Sequence, residues 1–367
     1  MSEQNELTYI LGAGASFQSI PVVNTFSERF NDFSDFLNVF RRSNHSFYIH
    51  DSTIRTQIQN LQYQIIEVYN EFKNHQSFDT YFKKLFHTNQ PELINKTKKI
   101  LNIYFLWEHS KLSTIKFQSA AQNFEEKGDK FNKQTQLDKR YDALLAGLLK
   151  PNKDKLEMFC KTNFITWNYD INLLASLKNY FSPESTFDEF LFEITPDKEN
   201  EFIWELKSAG IKVVNMNGFF YSGIYGIKRS LNELEIKDSF SEINSYLLGV
   251  FDKLDHLKIK FAWETNINIG FEAKKIIENS ENVIIIGYTF PLYNRLVDMQ
   301  YMDRVLINGR NLFIQDPRAN EICLNLEESF DIFLKDKVKP IENCKSFYVP
   351  SIVYNPDLNK SGQYSFV

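Results

Sequence analysis

What this chain lacks narrows its possible functions before anything in it suggests one. Its 367 residues include 3 cysteines, Cys160, Cys323 and Cys344, each isolated in sequence. With no Cys-x-x-Cys pair there is neither a zinc ribbon nor a disulfide framework, and a reducing, cytoplasmic location is the expectation. No apolar run approaches the roughly 20 residues needed to span a bilayer, so no membrane partner is expected. Residues 1–7 are polar and acidic, unlike a secretory signal. An excess of positive charge is also missing. The 42 Lys and Arg against 47 Asp and Glu leave a net charge of −5, which argues against broad nucleic-acid binding. Internal repeats and low-complexity tracts are absent as well.

What is present suits a folded core of one large or two modest domains: 43% hydrophobic residues, 15% aromatic, and 34 Phe. Residues 7–11 (Leu-Thr-Tyr-Ile-Leu) read as a buried strand that runs into Gly12-Ala13-Gly14-Ala15-Ser16. From 24 to about 149 apolar residues recur at helical spacing, as in Ile58, Leu61, Ile65, Ile66 and Tyr69, and again in Ile94, Ile100, Leu101, Tyr104 and Phe105. Gly and Pro are scarce there, which predicts consecutive helices. The charged stretch 125–139 reads as a loop or an exposed helix, and the Lys-rich patches 96–99 and 150–155 as solvated faces. Strand signals then resume at 164–166, 211–214, 258–262, 283–286 and 312–315, separated by helical stretches such as 267–278 and 318–333. Apolar strands alternating with helices predict an α/β fold: a Rossmann-like parallel sheet of about six strands with a large helical insertion after the first strand. The core would comprise residues 1–23 and 160–367, with 24–159 as the insertion.

In such sheets ligands sit outside the carboxyl ends of the strands. Small residues in the turn 12–16 let the backbone approach a pyrophosphate, and a following helix N-terminus favours phosphate, although a Gly-rich turn is often only a tight turn. The other strand ends carry Thr166, Asn168 and Asp170; Asn215, Asn217 and Gly218; Gly287, Tyr288 and Thr289; and Asp316. Together they describe a nucleotide site. Asp170 can equally be the N-cap of the helix that follows it, and Trp167, beside a strand end, reads as core.

These motifs resemble, in order, those of the sirtuins. Gly12-Ala13-Gly14-Ala15-Ser16 with Ile20-Pro21 is similar to the opening motif. Thr166-Trp167-Asn168-Tyr169-Asp170 resembles Thr-Gln-Asn-Ile-Asp, in the variant seen in bacterial sirtuin-like defence proteins. Met216-Asn217-Gly218 stands in the place of Leu-His-Gly, and Ile286-Gly287-Tyr288-Thr289-Phe290-Pro291 resembles the late motif lining the adenosine half. The resemblance covers residues 7–23 and 160–320. It implies NAD as substrate, bound by Gly12, Ala13, Gly14, Ala15, Ser16, Pro21, Thr166, Gly218, Gly287, Tyr288, Thr289 and Asp316, with Asn168, Asp170, Asn215 and Asn217 around the reacting ribose and the segment 24–159 roofing the site.

The departures redirect the function the resemblance implies. The chain cannot build the four-cysteine zinc module of sirtuin deacylases, so no zinc is expected, and Val22-Val23-Asn24 replaces the Asp-Phe-Arg that follows Ile-Pro. The implied activity is instead that of NAD-depleting effectors of anti-phage systems, which hydrolyse NAD to ADP-ribose and nicotinamide. Position 217, His in the family, is Asn here, and an amide has no usable proton affinity near neutral pH. Three readings stay open: a branch that uses Asn natively, an inactivating substitution, or a chain that binds NAD without cleaving it. ADP-ribosyl transfer is a further possibility for the same cation. The histidines 45, 50, 75, 87, 109 and 256 lie outside the motifs, and His109 is the best substitute base among them. Residues 335–367 are too few for a sensor domain, so the implied partners are other copies of the chain and a separate activator: a translocase-like ATPase, a short Argonaute or a nucleotide-sensing subunit.

Overall fold

The computed structural model describes residues 6–20, 23–42, 52–110, 137–153, 155–181, 195–197, 200–218, 259–264, 267–307, 311–330 and 338–354. The elements in chain order are β1 (Glu6–Leu11), α1 (Val23–Arg42), α2 (Ser52–Phe72), α3 (Phe78–His87), α4 (Pro91–Ser110), α5 (Lys139–Leu148), β2 (Leu149–Asn152), β3 (Lys155–Met158) and β4 (Lys161–Thr166). They continue with α6 (Asn172–Phe181), β5 (Thr195–Asp197), β6 (Asn200–Leu206), β7 (Ile211–Asn215), α7 (Ile267–Asn279), β8 (Asn282–Ile286), α8 (Arg295–Ile307), β9 (Asn311–Gln315), α9 (Ala319–Phe330) and β10 (Val338–Ile341).

Eight strands form one sheet in the order β10-β9-β8-β1-β4-β7-β6-β5. The six from β10 to β7 run parallel. Numbered among themselves along the chain they lie 3-2-1-4-5-6, the order of dinucleotide-binding Rossmann folds. The direction of winding reverses between β1 and β8, beside the first strand-to-helix turn. These strands pair because their apolar runs must be covered on both faces: β8 is buried along its whole length and β1 at all but Glu6. The antiparallel β6 and β5 extend the sheet beyond β7, and no periodicity in their sequence announced them.

The predicted strand at 258–262 is not one. Ile259 to Phe261 is irregular and leads into a 3-10 turn at Ala262–Glu264, while residue 258 lies outside the described segments. Ile259 and Phe261 are buried, so the alternation that suggests a strand is real, but both edges of β7 are already taken by β4 and β6. The segment keeps one backbone bond to the sheet layer, from the Lys260 N–H to the Asn217 carbonyl at 2.7 Å.

Between β1 and β4 the chain forms α1 to α5 and one antiparallel hairpin, β2–β3, which the helical reading did not foresee. Most of the stretch 125–139 lies outside the described residues. The helices hold together through rings: Phe26 and Phe78 centroids lie 4.6 Å apart, Phe72 and Phe78 4.0 Å, Phe26 and Tyr104 4.7 Å. Arg29 of α1 grips Glu108 of α4 with two bonds, Nε to Oε1 at 3.1 Å and Nη2 to Oε2 at 3.0 Å, and Tyr104 donates to the same carboxylate. Among the described residues no helix is long and apolar enough to cross a membrane.

Candidate functional site

β1 ends at Leu11 and the turn Ala13–Ser16 closes as a 3-10 turn with Gly12 in extended conformation before it. The glycines here answer first to a neighbouring loop. A methyl group on Gly12 would lie 2.5 Å from the Gly287 carbonyl oxygen, and one on Gly14 2.7 Å from the Gly287 Cα. Gly287 has φ +61, and a methyl there would lie 2.4 Å from Gly14 backbone. The two loops are pressed backbone to backbone, and the Gly12 and Gly14 N–H groups donate to the Ile286 and Gly287 carbonyls at 2.9 and 3.0 Å. Behind the turn, Arg140 of α5 donates to the Gly14 and Ala15 carbonyls at 3.2 and 3.0 Å while it pairs with Asp138.

The β4 end is tied to this turn. The Trp167 N–H reaches the Leu11 carbonyl at 2.9 Å. The Asn168 side-chain amide donates to Ser16 Oγ at 3.3 Å, and Ser16 Oγ also lies 3.2 Å from the Tyr141 hydroxyl. Thr166 Oγ1 accepts the Asn168 N–H at 3.0 Å. Asp170 Oδ1 accepts the Asn172 N–H at 2.9 Å and its side-chain amide at 2.8 Å, so this carboxylate does cap the start of α6. After β7 the Asn217 side-chain amide donates to the Trp167 carbonyl at 2.8 Å. Its Oδ1, like that of Asn215, is buried without a hydrogen-bond partner among the described residues.

One cleft, about 1030 Å³ including space open to solvent, gathers much of the predicted set. Ala13, Ser16, Asn168, Asp170, Asn217, Gly287, Tyr288 and Thr289 line it. Gly12, Gly14, Ala15 and Thr166 stand behind this lining as its support. Asn215 and Gly218 flank Asn217 but do not line the cleft. Asp316 does not line the cleft either: its Oδ1 accepts the Arg318 N–H at 2.9 Å ahead of α9. Pro21 lies outside the described residues. Trp167 serves both purposes, stacking on Tyr288 with 5.8 Å between centroids and forming part of the cleft wall.

No family model matches the chain, and no curated protein matches it significantly.

The opposite wall comes largely from the segment expected to roof the site, through residues to which the sequence assigned no role there. Phe26, Phe72, Phe78, Leu101 and Phe105 of α1 to α4 and Phe261 give an apolar, aromatic roof that carries Asp79, and Tyr169, Tyr293 and Asn294 are further polar groups of the lining. The Tyr169 hydroxyl donates to Asp79 Oδ1 at 3.3 Å and the Tyr293 hydroxyl to Oδ2 at 3.2 Å. Burial pushes the Asp79 carboxyl above the usual carboxylate range, and both phenols hold it back. Burial and the neighbouring Asp79 keep both phenols protonated. A capped helix start supplied the only signal for Asp79: Ser77 and Thr80 form a reciprocal capping box at α3, which fixes the helix register and so the direction of its first turn. Among the described residues no histidine lines the cleft and no cluster of His, Cys, Asp or Glu is placed to hold a metal ion.

Proposed function

We propose that the chain is a sirtuin-like NAD hydrolase that releases nicotinamide and ADP-ribose and acts as an NAD-depleting effector in bacterial anti-phage defence. The observation that carries this reading is the bond between Asn168 and Ser16 at the switch point of a 3-2-1-4-5-6 sheet, under an aromatic roof. Two motifs far apart in sequence thereby form one wall of a cleft whose size suits a dinucleotide.

The residues fit this substrate in a particular way. The Gly12 and Gly14 N–H groups are occupied, so contact with the pyrophosphate falls to Ala13 and Ser16, the residues of the turn that line the cleft. Asn217 has its amide committed to Trp167, which leaves Oδ1 to accept a hydrogen bond from a ribose hydroxyl. Asn168 stands beside it to orient the ribose. The C1′–N bond breaks with its electron pair leaving on nicotinamide, and an oxocarbenium-like C1′ is captured by water. Orientation and exclusion of bulk solvent supply most of what this chemistry needs, and the roof of rings provides the exclusion.

Asn217 favours a second reading, a module that holds NAD or ADP-ribose without cleaving it. Incubating the full chain with NAD and measuring free nicotinamide separates the two. Release that is lost in Asn168→Ala supports hydrolysis, whereas tight binding without release supports the module. NAD labelled in the ADP-ribose half distinguishes hydrolysis from transfer, since only transfer leaves label on macromolecules. A large gain in Asn217→His would mark Asn217 as an inactivating substitution.

A further inference from the structure

Two carboxylates line the cleft among the described residues, Asp79 in the roof and Asp170 in the floor. Asp170 is committed to the first turn of α6, through the Asn172 N–H and side-chain amide. Asp79 is held differently. Its hydrogen bonds to other side chains come from two phenols, one on each oxygen, and both phenols themselves line the cleft. Each oxygen of an ionised carboxylate accepts more than one bond, so Tyr169 and Tyr293 orient this group without exhausting it. Tyr169 sits between Asn168 and Asp170 in sequence, and so the roof carboxylate is registered directly against the floor motif.

We propose that Asp79 is a catalytic residue of this cleft, the base that takes a proton from the water captured at C1′. The inference rests on the hydrolase reading. As the C1′–N bond breaks, its electron pair leaves with nicotinamide. The water oxygen bonds to C1′, one water proton passes to the Asp79 carboxylate, and that proton returns to solvent as ADP-ribose departs. The step needs no oxidant or further reactant. It also places the base on the insertion, where Asn217 on the sheet side offers only an amide.

The groups that face Asp79 decide its pH response. They are Tyr169 from the floor motif and Tyr293 from the turn before α8, which bond its two oxygens; Asp170, the other carboxylate of the lining, is turned to Asn172. Lys83 stands on its own helix, one turn on, with Nζ donating to the Tyr293 carbonyl at 3.3 Å. Glu264 stands nearby, paired with Lys98. Burial raises the carboxyl and the two phenols lower it. A base must be ionised, so kcat/KM rises with pH through this raised pKa, giving an acid limb above the range of an exposed Asp.

The test measures nicotinamide release by the full chain across pH, with NAD binding measured separately. Asp79→Asn keeps the side-chain volume and one acceptor oxygen, while its NH2 group can only donate and the second phenol must turn to accept from it. The expected result is a fall in kcat of roughly 10² or more, NAD affinity within about threefold, and loss of the acid limb. Asp79→Glu should recover part of the rate. Tyr293→Phe and Tyr169→Phe should move the limb to higher pH, since each removes a bond that favours the ionised form, a change that a merely structural role would not produce. Asp79→Asn with unchanged kcat and an unchanged limb overturns the proposal and leaves hydrolysis standing. A native chain that releases no nicotinamide at any pH or concentration, with its activating subunit supplied as well as without it, overturns both.

Discussion

At the scale of single residues, Gly287 and Asp298 have measurable consequences. Gly287→Ala brings a methyl group to 2.4 Å from Gly14 backbone in a left-handed conformation. Backbone cannot step aside as a side-chain tip can, so the two loops must part. The expected outcome is a loss of several kcal/mol of stability by denaturant titration together with weakened NAD binding, because Ser16 and Thr289 move with their loops. Asp298 lies under the cleft floor: Tyr288 donates to it at 2.7 Å, Asn294 donates to Tyr288, and Arg295 and Tyr301 stand near. Burial pushes its carboxyl up to about 7. A carboxyl raised in the folded state favours folding while it is protonated. Its contribution is complete below the unfolded value near 4 and disappears as pH rises through 7. Melting temperature should therefore fall between pH 5 and 8, and Asp298→Asn should flatten that slope. An unchanged slope in the variant would assign it to other groups.

At the scale of elements, the Arg29–Glu108 pair joins α1 to α4 beneath the aromatic roof. Glu108 is 0% exposed. Arg29→Met leaves that carboxylate without its cation, with an expected cost of about 3 kcal/mol, read as a lower unfolding midpoint. The reverse charge deletion, Glu108→Gln, should cost less, because Arg29 keeps Asp32 at 3.2 Å and part of its solvent contact. The pair itself was not legible in sequence, although the helical run from Ile94 to Phe105 announced its helix α4, and the central strands were legible too. β1, β8 and β9 announce themselves because strands covered on both faces are largely apolar, whereas only the Phe164–Thr166 end of β4 did so, its start being Lys161-Thr162-Asn163. β10 did not, since Val338-Lys339-Pro340-Ile341 pairs with β9 alone, where an edge tolerates Lys and Pro. The floor of the cleft was legible for a related reason: strand ends are fixed in place by the sheet. The roof was not. Helical periodicity tells which face of α3 is inward, but not that Asp79 meets Tyr169 and Tyr293, which lie 90 and 214 positions away.

For the whole molecule the open matter is control. An NAD hydrolase active as a free monomer would harm its own cell, and the segment long enough to house a sensor instead provides the cleft's roof. Self-assembly or a separate activating subunit is therefore expected to switch the activity on. Specific activity should rise with protein concentration in parallel with a shift in mass by light scattering, or appear only when the partner is added. A monomer with full activity independent of concentration would refute both forms of control.

The centre of the sheet has a consequence for how the chain reaches its folded state during synthesis. β1 precedes every other described strand along the chain, yet it lies inside the sheet, flanked by β4 on one side and β8 on the other. Its register with β8 pairs Leu7 with Asn282, so one edge of this buried strand has no partner until some 275 further residues have been made. For that interval an apolar ribbon with an open hydrogen-bonding edge is exposed in a crowded cell, the condition under which nascent chains recruit holdase chaperones or aggregate. The same delay postpones the seam between Gly14 and Gly287, so the cleft is not closed on the nascent chain until β8 and its following loop have docked.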